Sequence, residues 1–443
     1  MTSIHTRFKN IRVTRVARFL PLFFLGLTGL WAKGGPQAAP AGARKSLAAG
    51  RKPVLAVPNR QVAPPAAKAA AQRPLAPRAV AHRDRGAAQV SAARNVEPLS
   101  NRRYYRQIWT EPTYADSTIG DQLAGEDLVV RRAAIEALGP YNGSVIVTDA
   151  QTGRILTIVN QKLALRSGFT PCSTIKLVTS IAGLVEGAIT PSTVMRVSRY
   201  ERMNLTEALA RSNNPFFSQI GRELGFERIA YYARLLGIGE KAGWNIDGEQ
   251  EGVFPTTEPV NSGGVGLMTS HGVGIEMTPL QLAALLSMIA NNGTLHWLQY
   301  PRTREELENF TPMVKRQMDL AQVIEQLRPG LEGAVEWGSG QRARKTSEST
   351  EPIFGKTGTC THSDQRTHLG WFGAYNQVGE RRLVVVVLLT GGRPVNGPVA
   401  SGIAGAVYRI LNDQNYYALR DPMLTQVVQA NGLVSFQPTC CAQ

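Results

Sequence analysis

Strand patterns lie at the two ends of the folded region of this 443-residue chain, and helical patterns fill the interval between them. Residues 143–149 and 154–159 are rich in β-branched residues and flank a short turn, which predicts a hairpin. Strand patterns return only near the carboxyl end, at residues 352–360, 368–375 and 382–390. Because a lone hairpin is marginally stable, we expect one sheet assembled from these distant segments, with an inserted helical lobe at residues 188–344.

Helix signals flank the strand patterns and support this interpretation. Residues 127–138 and 399–411 have apolar side chains at helical spacing. Thr278 suits an N-cap, Pro279 the first helical position, and Gln281 completes a capping box. Together the strands and helices predict an α+β fold.

Positive charge is confined to the amino-terminal part of the chain. Residues 1–106 contain 20 lysines and arginines against 2 acidic residues, a net charge of +18, and the remainder carries −2. Residues 33–106 are rich in Ala, Pro and Arg and cannot bury enough apolar surface to fold, so we predict a disordered basic linker. The linker has few aromatic residues, which disfavours nucleic acid as a partner and favours anionic lipid or cell-wall polymers.

The first 32 residues have the pattern of an export signal. Basic residues precede an apolar run at residues 19–32, namely Arg7, Lys9, Arg12, Arg15 and Arg18. This run is shorter than the roughly 20 residues that span a membrane comfortably, so a cleaved signal peptide and a short membrane anchor both remain open. Basic residues stay on the cytoplasmic side, so we expect all that follows to be exported. Residues 107–415 then form the folded domain and residues 416–443 a C-terminal tail.

Three short polar motifs follow one another along the folded domain. Ser173 and Lys176 form S-x-x-K just after a proline suited to the first turn of a helix. Residues three apart share one helix face, so the Lys176 amine can reach the Ser173 hydroxyl. The string Ser212-Asn213-Asn214 gives S-x-N, and Lys356-Thr357-Gly358-Thr359 gives K-T-G followed by a hydroxyl residue. S-x-x-K alone should arise about once by chance in a chain of this length, so the order of all three motifs carries the inference.

A lysine, rather than a histidine, is the expected general base. The histidines close to the motifs in sequence are His362 and His368, and we interpret both as structural or surface residues. A Ser-His-Asp triad is therefore disfavoured. Lys176 must be neutral to accept the Ser173 proton, and burial and the nearby cation of Lys356 would lower its pKa.

Residues 124–413 resemble the transpeptidase domain of penicillin-binding proteins, in the class without a glycosyltransferase module. The resemblance includes the three motifs. It also includes His271-Gly272-Val273-Gly274 followed by Thr278-Pro279-Leu280-Gln281-Leu282-Ala283, and Gly370-Trp371-Phe372-Gly373-Ala374-Tyr375. It implies a fold like that of the serine D,D-peptidases and β-lactamases, an αβα sandwich of an antiparallel sheet flanked by helices with an inserted all-helical lobe.

The resemblance also implies a role for each motif residue. Ser173 would be the nucleophile, Lys176 the base, and Ser212 a proton relay between Lys176 and the leaving nitrogen. Asn214 would bind the backbone of the incoming peptide and contact Lys176. Lys356, Thr357 and Thr359 would hold the terminal carboxylate of the substrate, with Gly358 allowing close approach. The backbone N–H groups of Ser173 and Thr359 would form the oxyanion hole.

The implied substrate is the D-alanyl-D-alanine end of a peptidoglycan stem peptide, which the enzyme would cross-link to a neighbouring stem. β-Lactams would acylate the same serine. A serine β-lactamase, a D,D-carboxypeptidase or endopeptidase, and a non-catalytic β-lactam receptor remain alternatives. The implied location is the periplasmic face of the cell envelope, with other cell-wall synthesis proteins as possible partners. The sequence contains no metal-ligand cluster, and we propose no cofactor.

Two of the four cysteines lie beside motif residues, and the other two lie in the predicted tail. Cys172 precedes the expected nucleophile, and Cys360 follows Thr359, whose amide the resemblance places beside Ser173. Export permits disulfides, so we hypothesise that Cys172 and Cys360 are bridged. Cys440 and Cys441 are adjacent in the tail, and the sequence leaves their partners open.

Overall fold

A computed structural model describes residues 109–418, except residues 167 and 365. The predicted export signal, the basic linker and most of the predicted tail lie outside these described residues. The helices are α1 Leu128–Leu138, α2 Gln161–Leu165, α3 Lys176–Val185, α4 Leu205–Ala210, α5 Asn214–Leu235, α6 Gly264–His271, α7 Pro279–Ala290, α8 Arg304–Glu308, α9 Ala321–Glu336, α10 Gln341–Ser347 and α11 Gly397–Asp413. The strands are β1 Gly143–Asp149, β2 Ile155–Val159, β3 Met195–Arg196, β4 Arg202–Met203, β5 Thr294–His296, β6 Val314–Gln317, β7 Ile353–Thr361, β8 His368–Asn376 and β9 Leu383–Gly391.

In the described part of the chain, no helix has both the length and the apolar character needed to cross a membrane.

One five-stranded antiparallel sheet organises the domain, in the order β2-β1-β9-β8-β7. Strand β1 pairs with β9 along its whole length, from Gly143 opposite Leu389 to Asp149 opposite Leu383. The sheet therefore joins segments more than 200 residues apart, and the prediction of one sheet built from distant segments is confirmed.

Both faces of the sheet are buried, and its central strand β9 is apolar at every position from Leu383 to Leu389. On β9, Val384 and Val386 belong to one hydrophobic cluster, and Val385 and Val387 belong to a second. Helices α3, α5 and α7 contribute to the first cluster, and α1 and α11 to the second. Helices thus cover both faces, as the αβα sandwich requires, and the predicted fold class is confirmed.

The region between β2 and β7 carries the inserted lobe. Most of it is helical, as predicted, and Thr278 and Gln281 form the predicted capping box at the start of α7. It also contains two short strand pairs, β3 with β4 and β5 with β6, which the sequence patterns did not predict. These strands have two to four residues, too few for a period-two pattern to be visible.

Helix α1 is fixed to the sheet by a buried ion network. The Arg131 guanidinium lies 2.8 Å from a carboxylate oxygen of Asp121 and 2.8 Å from one of Glu126. It also donates to the carbonyl oxygen of Ile158 in β2, at 3.3 Å. Because all these charges are shielded from water, each depends on its partners. Arg131 therefore links α1 to β2, the strand at the edge of the sheet.

The ordered domain extends slightly past the predicted boundary at residue 415. Residues Tyr416–Ala418 form a 3-10 turn in which Tyr416 is buried. The Tyr416 hydroxyl donates to Asp127, the N-cap of α1, at 2.9 Å. The start of the predicted tail is thus part of the core.

Candidate active site

Ser173 lies in a strained turn rather than within the α-helix that the sequence predicts. Residues Cys172–Ile175 form a 3-10 turn, and α3 begins only at Lys176. Cys172 has φ +52°, a left-handed conformation that a residue with a Cβ rarely adopts and that is incompatible with an α-helix. The turn nevertheless places Ser173 and Lys176 on one side of the chain, with the Ser173 side chain partly exposed.

Lys176 is fully buried, and its amine contacts three other motif residues. Its Nζ lies 2.9 Å from Ser173 Oγ, 2.7 Å from the carbonyl oxygen of Ser212 and 2.5 Å from Asn214 Oδ1. Burial, with a smaller contribution from the charge of Lys356, lowers the pKa of Lys176 well below its ordinary value of 10.5. This shift favours the neutral form that a general base requires.

The contacts of Lys176 also assign the direction of proton transfer. A neutral amine has two N–H donors and one lone pair. The oxygens of the Ser212 carbonyl and the Asn214 side-chain amide can only accept hydrogen bonds, so they take both donors. The lone pair is left for a hydroxyl, and that of Ser173, at 2.9 Å, is nearer than that of Ser212, at 3.2 Å. The geometry thus fits removal of the Ser173 proton by Lys176.

The S-x-N motif joins α4 to α5, and each of its three residues has its own structural role. Ser212 has φ +57°, and this left-handed residue ends the α4 segment. The Asn213 side chain caps α5 by accepting from the Phe216 N–H at 2.9 Å. The motif thereby aims Ser212 and Asn214 at the same lysine.

Ser212 lies between the two lysines of the site. Its Oγ is 3.2 Å from Lys176 Nζ and 2.8 Å from Lys356 Nζ. Lys356 is fully buried in β7 and also donates to the Thr357 carbonyl oxygen at 2.9 Å. Burial lowers the pKa of Lys356 from 10.5 to about 7. Ser212 can therefore pass a proton between a base and a second ionisable amine.

The hydroxyl groups of the K-T-G strand have partners within the protein. Thr357 Oγ1 lies 2.6 Å from Ser339 Oγ, and Thr359 Oγ1 accepts from the Gly397 N–H at 2.7 Å. Thr359 is exposed, whereas Thr357 is buried. A hydroxyl can accept one hydrogen bond while donating another, so both can still donate to a bound ligand.

Gly358 allows β7 to approach the turn that carries Ser173. A Cβ on Gly358 would lie 3.1 Å from the Pro171 carbonyl oxygen and 3.2 Å from Cys172 Cβ. The neighbouring residues are also crosslinked, because Cys172 and Cys360 form a disulfide with a Cα–Cα distance of 5.6 Å. The hypothesis of this bridge is confirmed. Strand β7 therefore lies directly against the turn that carries Ser173.

The structure brings together the side chains of the S-x-x-K and S-x-N motifs and Lys356 of the K-T-G strand, and it adds residues that the sequence did not single out. His271 Nε2 lies 2.8 Å from Asn214 Nδ2, and Ser339 contacts Thr357. His271 belongs to a string noted for its resemblance, but it is 57 positions from Asn214 and no local pattern links the two. His362, by contrast, contacts the Thr170 N–H and hydroxyl through Nδ1, both at 3.2 Å.

Comparisons with known proteins show the family to which this chain belongs. The family model described as the penicillin binding protein transpeptidase domain matches residues 143–409. Stage V sporulation protein D of Bacillus subtilis is 27% identical over 57% of this chain and 43% of its own length. Peptidoglycan D,D-transpeptidase MrdA of Haemophilus influenzae is 22% identical over 66% of this chain and 56% of its own length. The chain thus spans about two fifths to just over half of these curated relatives.

A solved structure supports the same fold. The crystal structure of a peptidoglycan glycosyltransferase from Burkholderia ambifaria matches with a TM-score of 0.56 and 18% sequence identity, over 65% of this chain and 95% of that one. At this identity the likeness concerns the fold.

Proposed function

Because the chain belongs to the penicillin-binding protein transpeptidase family, we propose that it is a serine D,D-transpeptidase that cross-links peptidoglycan stem peptides. The observation that carries the proposal is the 2.9 Å contact between Lys176 Nζ and Ser173 Oγ, in a site where Ser212 and Lys356 converge on the same point. Relatives named peptidoglycan D,D-transpeptidase support the reaction type.

In the first step, Ser173 Oγ attacks the carbonyl carbon between the two terminal D-alanines. Lys176 takes the hydroxyl proton through its free lone pair, as the acceptor contacts of its two N–H groups favour. The C–N bond then breaks, and Ser212 relays a proton to the leaving amine of the last D-alanine. The product is an ester between Ser173 and the penultimate D-alanine.

Substrate recognition falls to β7 and to Asn214. Lys356 supplies a positive charge and Thr357 and Thr359 supply hydroxyl donors for the terminal carboxylate. Asn214 is placed to contact the peptide backbone as well as Lys176. We propose the backbone N–H groups of Ser173 and Thr359 as the oxyanion hole, an assignment supported by the disulfide between the residues next to each of them.

In the second step, an amine of a neighbouring stem peptide attacks the ester and frees Ser173. A β-lactam would enter the same first step, because its strained amide presents a carbonyl and a carboxylate to the same groups. Export of the domain to the periplasmic face of the envelope would place it beside this substrate. The amino-terminal 32 residues would act as signal or anchor and residues 33–106 as linker, and other cell-wall synthesis proteins are plausible partners.

Labelling with a fluorescent penicillin tests the proposal. The full chain should become covalently labelled, the label should persist for many minutes, and Ser173→Ala should not be labelled. Purified stem peptides carrying a free acceptor amine should give cross-linked dimers and free D-alanine by mass spectrometry. Rapid loss of the label would point to a β-lactamase, and D-alanine release without dimers would point to a carboxypeptidase.

A further inference from the structure

A chain of hydrogen bonds extends from Lys176 away from the proposed nucleophile. Asn214 Oδ1 accepts from Lys176 at 2.5 Å, and Asn214 Nδ2 lies 2.8 Å from His271 Nε2. The other ring nitrogen, His271 Nδ1, lies 2.8 Å from Ser270 Oγ. Ser270 in turn donates to the carbonyl oxygen of Gly266 at 2.7 Å. The chain links α3, the start of α5 and the end of α6.

The contacts assign one tautomer to His271. Because the Ser270 hydroxyl proton is directed to Gly266, Ser270 Oγ is an acceptor for the Nδ1–H of His271. The lone pair of a neutral imidazole is then at Nε2, where it accepts from the Asn214 amide.

The orientation of the Asn214 amide determines whether the lone pair of Lys176 is free to accept the Ser173 proton. With Oδ1 toward Lys176, the amide accepts an N–H and leaves the lone pair to Ser173. A rotated amide would present an N–H to Lys176, which can pair with the same lone pair and compete with the Ser173 proton. The histidine therefore selects the productive orientation.

We propose that His271 is a positioning residue that holds the Asn214 carbonyl toward Lys176 and so keeps the amine available to Ser173. This inference rests on the proposed roles of Ser173 and Lys176. His271 does not touch the reacting atoms and acts through Asn214.

Protonation of His271 should reverse the arrangement. An imidazolium donates from both nitrogens, so Nε2 would attract Asn214 Oδ1 and turn the amide. Among the described residues, the ionisable group that faces His271 is the amine of Lys176 on α3, while Arg222 of α5 meets α6 at Gly266, more than one turn away. Burial and the Lys176 charge lower the pKa of His271 below 6.5. The histidine is consequently neutral at neutral pH.

Two substitutions test this role by the second-order rate of acylation with fluorescent penicillin, measured from pH 5 to pH 8. His271→Phe keeps the ring shape but removes the acceptor, and the rate at pH 7.5 should fall about tenfold or more. His271→Gln supplies an amide oxygen that accepts and does not titrate. Its rate should stay within about threefold of wild type at pH 7.5, and its ratio to the wild-type rate should rise as pH falls below 6.5.

His296→Gln is the matched control, because His296, on β5, is also a histidine whose pKa burial lowers. Its pH profile should follow wild type. An unchanged rate in His271→Phe, or a constant His271→Gln ratio across the pH range, overturns the inference while penicillin labelling of the wild type still supports the proposed function. A wild type that is not labelled overturns the proposed function and this inference with it. If His271→Phe does not fold, the His271→Gln ratio decides.

Discussion

The disulfide between Cys172 and Cys360 holds the residue before the proposed nucleophile 5.6 Å, Cα to Cα, from the residue after the K-T-G-T string. One covalent bond thus joins the turn that carries Ser173 to the end of β7. The two cysteines are 188 positions apart in sequence, so the bond also closes a long loop.

Loss of this bond should destabilise the domain and slow acylation. A crosslink across a long loop stabilises a domain by about 2–5 kcal/mol, mainly by restricting the unfolded chain. We therefore expect Cys172→Ser with Cys360→Ser to lower the denaturation midpoint and the rate of penicillin labelling. The matched control replaces Cys440 and Cys441 by serine, which removes two cysteines and leaves this bond intact. Equal midpoints for the two double variants would contradict the stabilising role.

Removal of the base should slow acylation without abolishing folding. Lys176→Ala leaves the Ser173 hydroxyl without its acceptor, so we expect the acylation rate to fall about 10²–10⁴-fold, the usual contribution of a general base. Ser173→Ala should give no labelling at all. Thermal melts should show that both variants are folded. Labelling of Ser173→Ala at another residue would disprove the assignment of the nucleophile.

Acylation should have a bell-shaped dependence on pH. Lys176 must lose its proton to act as base, so the rate should rise with pH through a pKa that burial and Lys356 hold well below 10.5. Lys356 must keep its proton to attract the carboxylate, and burial lowers its pKa to about 7, so the rate should fall above about pH 7. The second-order rate reports these groups in the free enzyme.

The descending limb can be tested with a modified substrate. The methyl ester of the same penicillin has no carboxylate for Lys356, so it should react more slowly and without a decline above about pH 7. A decline of the same size with the ester would show that another group causes it.

The ion network at α1 should matter for stability alone. Arg131→Met leaves Asp121 and Glu126 as buried charges without their guanidinium, which should cost about 3–5 kcal/mol of unfolding free energy. The neighbouring Arg132 is exposed, and Arg132→Met should change stability by less than about 0.5 kcal/mol. Urea denaturation of both variants measures the difference. Similar losses for the two would indicate that the network contributes little.

The sequence predicted those elements that depend on residues close to one another in the chain. The hairpin of β1 and β2 and the capping box at Thr278 and Gln281 follow from side chains close in sequence. The continuous run of β-branched residues likewise identified β9, a strand that is buried on both faces. The order of the three motifs, compared with a known family, singled out the side chains that meet around Lys176.

Two features of the site depend on contacts between residues far apart in the sequence, and the sequence did not predict them. The left-handed Cys172 is accommodated where Gly272 packs against Pro171, since a Cβ on Gly272 would lie 2.4 Å from the proline ring. The contact between His271 and Asn214 likewise depends on the packing of α6 against α5, which no neighbouring residue in sequence encodes. Such a contact can be identified only when the relative positions of the helices are known.

The pairing of β1 with β9 has a consequence for the growing polypeptide. Strand β1 leaves the ribosome early, but its partner ends at Gly391, within the final eighth of the chain. Until that strand emerges, β1 has only β2 beside it, and two strands alone are marginally stable. A chain terminated before residue 383 would therefore carry the serine, both lysines and the disulfide cysteines, yet lack the strand that joins the two halves of the sheet.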